Sequence, residues 1–390
     1  WINNLKKLNV ASQQGLVERF DATIGTGTVL MPFGGKYQKT PAEGMAAKIP
    51  VLNGESKDAT LMTFGFNPEM GVWSPYHMAY YSVIEAITKL SAMGGNYKKA
   101  RLTLQEYFER LGKEDTKWGK PFAALLGAYQ AQMDLGIPAI GGKDSMSGTF
   151  GNIDVPPSLV AFAVDICKAN KVISPEFKEI SSKVVLLIAE KNEDMTLKVD
   201  EYKNNLEIVH KLIHEGKVIS ASSIKFGGLS EAITKMSLGN KIGVKIKNVT
   251  KEELFGLNYG SLVLEVKSDV EVDKELAGCA YKAIGETVKN GAIILEDYDI
   301  NFKIESLEKT LEEKLTKVFK IKTEDKNEKV NTKLYKGTEA KTPTIKVAKP
   351  RVFIPVFPGT NCEYDSAKAF RNEGAEVSEL VLNNMNKELL

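Results

Sequence analysis

The stretch KIKTEDKNEKVNTKLYKGTEAKTPTIKVAKP, from Lys320 to Pro350, is rich in Lys, Glu and Thr and nearly empty of large apolar side chains. A segment of that kind cannot bury enough surface to offset the entropy of ordering it. No single core runs across it, and it reads as a linker. The preceding LEKTLEEKLTKVF carries charges at i, i+4 spacing and reads as a helix. The chain is therefore expected to fold as separate units, and its 390 residues leave room for two or three domains.

After the linker a new pattern begins. RVFIPVFPG reads as a buried strand and turn, EYDSAKAFRNEG as a helix closed by Gly374, and AEVSELVL as a second strand. That is the β-α-β opening of a further domain. Before the linker, TGTVLMPF and ATLMTFGF read as strands and SPYHMAYYSVIEAITKLSAMGG as a helix. A second helix, PFAALLGAYQAQMDLG, leads through the glycine-rich loop IPAIGGKDSMSGTFG to the strand SLVAFAVDIC. From Lys183 the alternation restarts with VVLLIA, DEYKNNLEIVHKLIHEG, KVISAS, GGLSEAITKMSLG and GVKI. Alternating strands and helices make the fold class α/β and α+β. The expected parts are a helical connector over 1–20, an α/β part over 21–167, a second part over 168–306, a helix and Lys-rich linker over 307–350, and a new domain over 351–390.

A balance of 52 basic against 50 acidic residues gives no reason to propose nucleic acid or an anionic membrane as partner. No apolar run approaches membrane-spanning length, and WINNLKKLNV does not read as a signal peptide; the expected location is the cytoplasm. The opening Trp, in mid-helix style, suggests a start inside a longer chain. Cys167, Cys279 and Cys362 lie far apart, without metal-ligand or disulfide spacing. The histidines are three in number, His77, His210 and His214, and offer no basis for zinc hydrolase chemistry.

Three stretches carry chemical information. In Gly141-Gly142-Lys143-Asp144-Ser145-Met146-Ser147 the glycines let a backbone approach an anion, and Lys143 adds a compact positive charge. Asp144 could hold magnesium, and Ser145 and Ser147 supply hydroxyls. A Walker A loop places Ser or Thr after its Lys and follows a strand; here Asp144 follows, and a helix precedes. The other reading is a glycine turn with solvated charges. Phe226-Gly227-Gly228-Leu229 opens a helix, where backbone amides favour phosphate, or where glycine serves close packing. VFPGTNCEYD sets Cys362 on a strand-turn-helix elbow, but no histidine follows it, and a partly buried, inert thiol is the better reading.

Taken together, RFDATIGTGTVLMPFGGKYQ, AIGGKDSMSGTF and KPRVFIPVFPGTNCEYDSAKAFRNEGAEV resemble the large, single-chain form of phosphoribosylformylglycinamidine synthase. That enzyme of purine biosynthesis converts formylglycinamide ribonucleotide, ATP and glutamine to formylglycinamidine ribonucleotide, ADP, phosphate and glutamate. The resemblance implies an aminoimidazole-ribonucleotide-synthetase-like two-part unit, the second of two tandem copies. The opening of a flavodoxin-like class I glutamine amidotransferase domain follows it. The glutaminase nucleophile would lie beyond Leu390, and the first copy would precede this chain. The fragment alone is then expected to be inactive, and its uncovered face could drive a homodimer. The alternative is a stand-alone nucleotide-binding or scaffold module of the same superfamily.

The resemblance also implies site residues. Gly141, Gly142, Lys143, Asp144, Ser145 and Ser147 would reach the ATP and substrate of the first copy, with Asp144 beside magnesium. Some relatives hold an auxiliary magnesium-bound ADP in the second copy. Its ligand positions fall here on Gly44 (with Glu43 adjacent), Glu85, Lys89 and Ser223, next to the Gly227–Gly228 turn. Oxygen ligands are replaced and a lysine has entered, so the expected site is degenerate, with Lys89 standing in for the cation.

Overall fold

A computed structural model describes residues 1–20, 25–51, 54–322, 337 and 344–383. They fall into two compact units, Trp1–Glu324 and Asp325–Leu390.

Besides two two-stranded ribbons, Phe33–Gly34 with Thr40–Pro41 and Thr149–Phe150 with Ile153–Asp154, the first unit contains two large sheets. Strands β1 (Met45–Lys48), β2 (Asp58–Gly65), β3 (Arg101–Tyr107), β4 (Ala139–Ser145) and β5 (Ser158–Lys168) form one, in the order β1-β2-β5-β3-β4. Only the β3–β4 pair is parallel. Along β2 the side chains alternate, Ala59, Leu61 and Thr63 inward, Met62 and Phe64 outward, as a half-buried strand requires. The outer face is apolar and open: Met62 is 39% exposed, Phe64 50% and Ile166 57%.

Two helices cover the inner face, α1 (Pro75–Ala92) and α2 (Asp115–Leu135). Helix α1 starts sharply because the Ser74 hydroxyl accepts the His77 N–H and Pro75 occupies the first turn. Every residue from Met78 to Ala92 is buried, so this helix needs walls on all sides. The walls are β2, β5, α2, and two elements from the second half, α3 (Val199–His214) and β7 (Val218–Ser223). At Gly65 a Cβ would stand 1.9 Å from the Ser82 carbonyl oxygen, so glycine lets β2 lie directly on α1. Helix α2 ends at Gly136, whose φ of 66° supplies the left-handed cap.

The second sheet has seven strands: β6 (Lys183–Leu187), β7, β8 (Gly243–Ile246), β9 (Leu262–Val266), β10 (Tyr281–Val288), β11 (Ala292–Leu295) and β12 (Ile300–Lys303). Their order is β7-β9-β6-β10-β8-β11-β12, antiparallel except for β8–β11. Helices α4 (Gly228–Leu238) and α5 (Ile304–Thr316) pack on one face, through Leu229, Ile233 and Leu307. Val209, Leu212 and Ile213 of α3 pack on the other. The second unit contains β13 (Arg351–Val356), α6 (Glu363–Asn372) and β14 (Glu376–Val381), with β13 and β14 parallel.

Three expectations need correcting. TGTVLMPF is not one strand: Gly25–Gly27 is a 3-10 turn, Thr28 makes a single bridge to Ala47, and only Phe33–Gly34 is extended further on. GGKDS is not a loop but most of β4, because pairing with β3 satisfies its backbone. Cys362 is exposed, with φ at 63°, since among the described residues of its unit only Ala367 is buried. Most of the expected linker, residues 320–350, lies outside the described residues. Among those described, no helix is long and apolar enough to cross a membrane.

One buried acid sits inside the second sheet. The Glu265 carboxylate accepts the backbone N–H groups of Lys178, at 2.9 Å, and Glu179, also at 2.9 Å. Burial pushes its pKa to about 7, against the downward pull of those amides. The folded chain thus holds this proton longer than the unfolded chain does. Stability from this group is full below its ordinary value of 4.5 and is lost as pH rises through about 7. That span corresponds to about 3 kcal/mol. Glu265→Gln should flatten the fall in urea midpoint between pH 5 and pH 8; an unchanged pH profile would refute the assignment.

Candidate functional site

The strand β4 sits at the edge of its sheet and presents Gly141, Gly142, Lys143 and Asp144 to solvent. Register pairs Gly142 with Leu104, Lys143 with Gln105, Asp144 with Glu106 and Ser145 with Tyr107. The following turn is fixed at both ends. Phe108 donates its N–H to Ser145 O at 2.8 Å, and Gly148 returns one to Phe108 O at 2.9 Å. Ser145 and Ser147 face each other with their Oγ atoms 3.5 Å apart. Among the described residues no ion pair engages Lys143 or Asp144, so both charges are presented outward. The Glu106 carboxyl on the neighbouring strand is raised to about 7, by burial first and by Asp144 second. Position 106 was not legible as a site residue, because nothing local marks its pairing with Asp144.

The two glycines differ. A Cβ at Gly142 would lie 2.2 Å from Leu104 O, whereas one at Gly141 would meet nothing within 4 Å. Gly142 is required by the approach of β4 to β3. Gly141 is left open toward solvent.

Of the residues expected at the auxiliary site, Ser223 meets Glu43, the neighbour of Gly44, and Glu85 meets Lys89. Glu43 is buried, and its Oε1 accepts from Ser222 Oγ at 2.9 Å and Lys225 Nζ at 2.8 Å. Its Oε2 accepts from Ser223 Oγ at 2.6 Å. Gly44 has a packing role, since a Cβ there would stand 2.4 Å from Met62 O. On α1, Glu85 Oε1 pairs with Lys89 Nζ at 2.6 Å, and Oε2 accepts the Phe66 N–H at 3.1 Å. Lys89 also donates to Phe64 O at 2.8 Å. At the start of α4, Glu231 Oε2 accepts the Gly227 N–H at 2.7 Å, while Oε1 pairs with Lys235 at 2.5 Å. Asn4 donates to Gly227 O at 2.7 Å and to Ser230 Oγ at 2.9 Å. Gly228, at φ 68°, serves a tight approach to Leu254 O.

Charge follows geometry in this cluster. Burial alone would raise Glu43, but Lys225 and then Lys89 outweigh it and hold the carboxyl below its usual range. Burial likewise opposes the Lys225 ammonium, and Glu43 and Glu231 override it, holding that group above the ordinary lysine value.

A separate cleft of about 800 Å³ opens near the start of β3, lined by Lys99, Arg101, Asp165, Cys167, His210 and His214 among others. His210 Nδ1 and His214 Nε2 both face Gly94 O, at 3.1 and 2.9 Å. A carbonyl only accepts, so both nitrogens carry their protons. Burial pushes the Cys167 thiol up to about 11, which leaves it unreactive. Among the described residues no group of three or more His, Cys, Asp or Glu is placed to hold a metal.

Residues 349–389 match the family of CobB/CobQ-like glutamine amidotransferase domains. The chain is 24% identical over 309 residues to phosphoribosylformylglycinamidine synthase subunit PurL of Thermus thermophilus, covering 72% of this chain and 40% of that protein. The subunit from a Thermoanaerobacter species is 26% identical over 290 residues, 70% of this chain and 36% of that protein. The chain thus spans about 40% of the length of the Thermus relative. Among solved structures, PurLQS of Thermotoga maritima aligns with a TM-score of 0.56 at 13% identity, over 86% of this chain and 57% of that one. PurL of T. maritima complexed with ATP aligns at 0.51 and 17% identity, over 70% and 40%. A HypE–HypF complex aligns at 0.51 and 15% identity, over 73% and 96%. The fold is that of the PurL structures, and residues 349–389, which include the β13-α6-β14 segment, are similar to the amidotransferase family model.

The contrast between the two glycines is testable. Gly142→Ala should lower stability by about 1–3 kcal/mol, because backbone must move. Gly141→Ala should stay within about 0.5 kcal/mol of the parent. Equal denaturant midpoints for the two variants would remove the packing role from Gly142.

Proposed function

We propose that this chain is part of an ATP-dependent carbon–nitrogen ligase that makes formylglycinamidine ribonucleotide, and that it supplies one wall of the synthase site. The observation that carries the reading is the conjunction in one chain of a PurL-like unit and a C-terminal match to a glutamine amidotransferase domain. In this reading ATP phosphorylates the amide oxygen of formylglycinamide ribonucleotide. Ammonia released from glutamine then adds to the imidate carbon, and phosphate leaves.

The outward presentation of Lys143 and Asp144 at the edge of the sheet supports their roles. Lys143 would balance charge on the phosphoryl group in flight, where a preorganised cation acts most strongly. Gly141 and Gly142 would lie along the nucleotide, with Ser145 and Ser147 offering hydroxyls to substrate. Asp144 is a hard oxygen donor suited to magnesium and would supply one ligand, other oxygens coming from ATP and the partner surface. When bound, that ion neutralises phosphate charge. The open apolar face built from Met62, Phe64 and Ile166 fits a docking surface for the first synthase copy.

A second reading is favoured by the likeness to a chain of the HypE–HypF complex, 96% of which aligns with 73% of this chain. There the chain would be a stand-alone nucleotide-binding or scaffold module. The mass of the native product separates the two readings.

Two outcomes test the ligase reading. The 390-residue chain should release no glutamate from glutamine; measurable glutaminase turnover would contradict the assignment. In the complete enzyme, Lys143→Ala should leave folding intact and slow synthesis about a hundredfold, with ammonia as well as glutamine as donor. A change below about twofold at saturating ammonia would place Lys143 among ordinary surface lysines.

A further inference from the structure

The resemblance drawn from the sequence implies an auxiliary magnesium-bound ADP at these positions, and the residues present do not fit one. Magnesium takes near-octahedral oxygen coordination and keeps several waters. Here each oxygen of the three carboxylates already has a donor. Those of Glu43 are engaged by Ser222, Ser223 and Lys225. Those of Glu85 are engaged by Lys89 and the Phe66 N–H. Those of Glu231 are engaged by Lys235 and the Gly227 N–H. A phosphate approaching the start of α4 would meet the Glu231 carboxylate, which already holds an amide that the phosphate would use. Three carboxylates face three ammonium groups, so the cluster is neutral without a ligand.

The cluster also spans the unit. Glu43 precedes β1 of the first sheet, and Glu85 and Lys89 belong to α1, which lies between the halves. Ser222 and Ser223 end β7 of the second sheet, and Lys225 follows them. The Glu43–Lys225 pair joins residues 182 positions apart.

We propose that Lys89 and Lys225 are built-in counter-cations that neutralise Glu85 and Glu43 in place of a resident magnesium–nucleotide, so the two sheets lock together without a ligand. A bound cation is held by coordination and is removed by chelators. An ammonium on a side chain is held by the chain itself. Removing one partner leaves a buried carboxylate uncompensated, which is strongly destabilising, whereas removing both charges together is far less so. The inference stands on this cluster alone and is independent of the ligase reading, since its test measures unfolding and binding rather than synthesis.

The test uses thermal unfolding and calorimetry on the 390-residue chain. The midpoint should not move with about 0.1 mM ADP and magnesium, nor with EDTA, and calorimetry should give a Kd no tighter than about 1 mM. Lys225→Met should lower the midpoint by several degrees. Glu43→Gln with Lys225→Met should recover at least half of that loss, and this double variant serves where the single one fails to fold. A midpoint raised by magnesium–ADP and restored to its starting value by EDTA would overturn the proposal. So would a Lys225→Met protein as stable as its parent, or a double variant no more stable than the single one.

Discussion

Helix α1 is buried on every face, yet it carries a glutamate and a lysine in its last turns. That conflict organises the unit. A helix walled by two sheets and two other helices can be assembled only if its charges are compensated inside the protein. Glu85 and Lys89 compensate each other at helical spacing, and each is finished by backbone from the end of β2. The same strand end, through Gly65, lets the sheet lie against α1 without a side chain between them. Close approach and charge compensation are thus provided by neighbouring positions of one strand.

The edge strand β4 depends on the same arrangement in a less direct way. Helix α2 packs on α1, and its left-handed Gly136 turns the chain back so that β4 runs parallel to β3. A parallel pair needs a crossover of this length, and α2 supplies it. The charges of Lys143 and Asp144 are therefore carried on a rigid ladder, a stronger positioning device than a mobile loop. An exposed lysine also suits a sheet edge, where it discourages pairing with other chains.

Much of this was legible in the sequence. Apolar periodicity, the Ser-Pro start of α1 and the glycine after α2 mark helices by local chemistry that tertiary structure does not override. β4 was misread because Gly-Gly signals a turn, while a long-range partner strand can supply ladder bonds to almost any backbone. The candidate residues Glu85, Lys89 and Ser223 were visible. The acid that meets Ser223 is Glu43, the neighbour of Gly44, in the bend just before β1. Lys225 was invisible for a different reason. Its partner is 182 residues away, and no local pattern encodes such a pair. Glu106 and Glu265 were missed likewise, since their perturbation comes from burial and from neighbours on other strands.

Covalent attachment changes how a buried charge is supplied. A dissociable cofactor obeys mass action, and a fold that relies on one loosens whenever the surrounding pool is depleted. Lys89 and Lys225 are present at one equivalent per chain from the moment of synthesis. The junction between the halves can therefore close during folding at a rate set by chain motion, with no waiting step for a second molecule. On the counter-cation proposal, its integrity carries no information about the nucleotide supply of its surroundings.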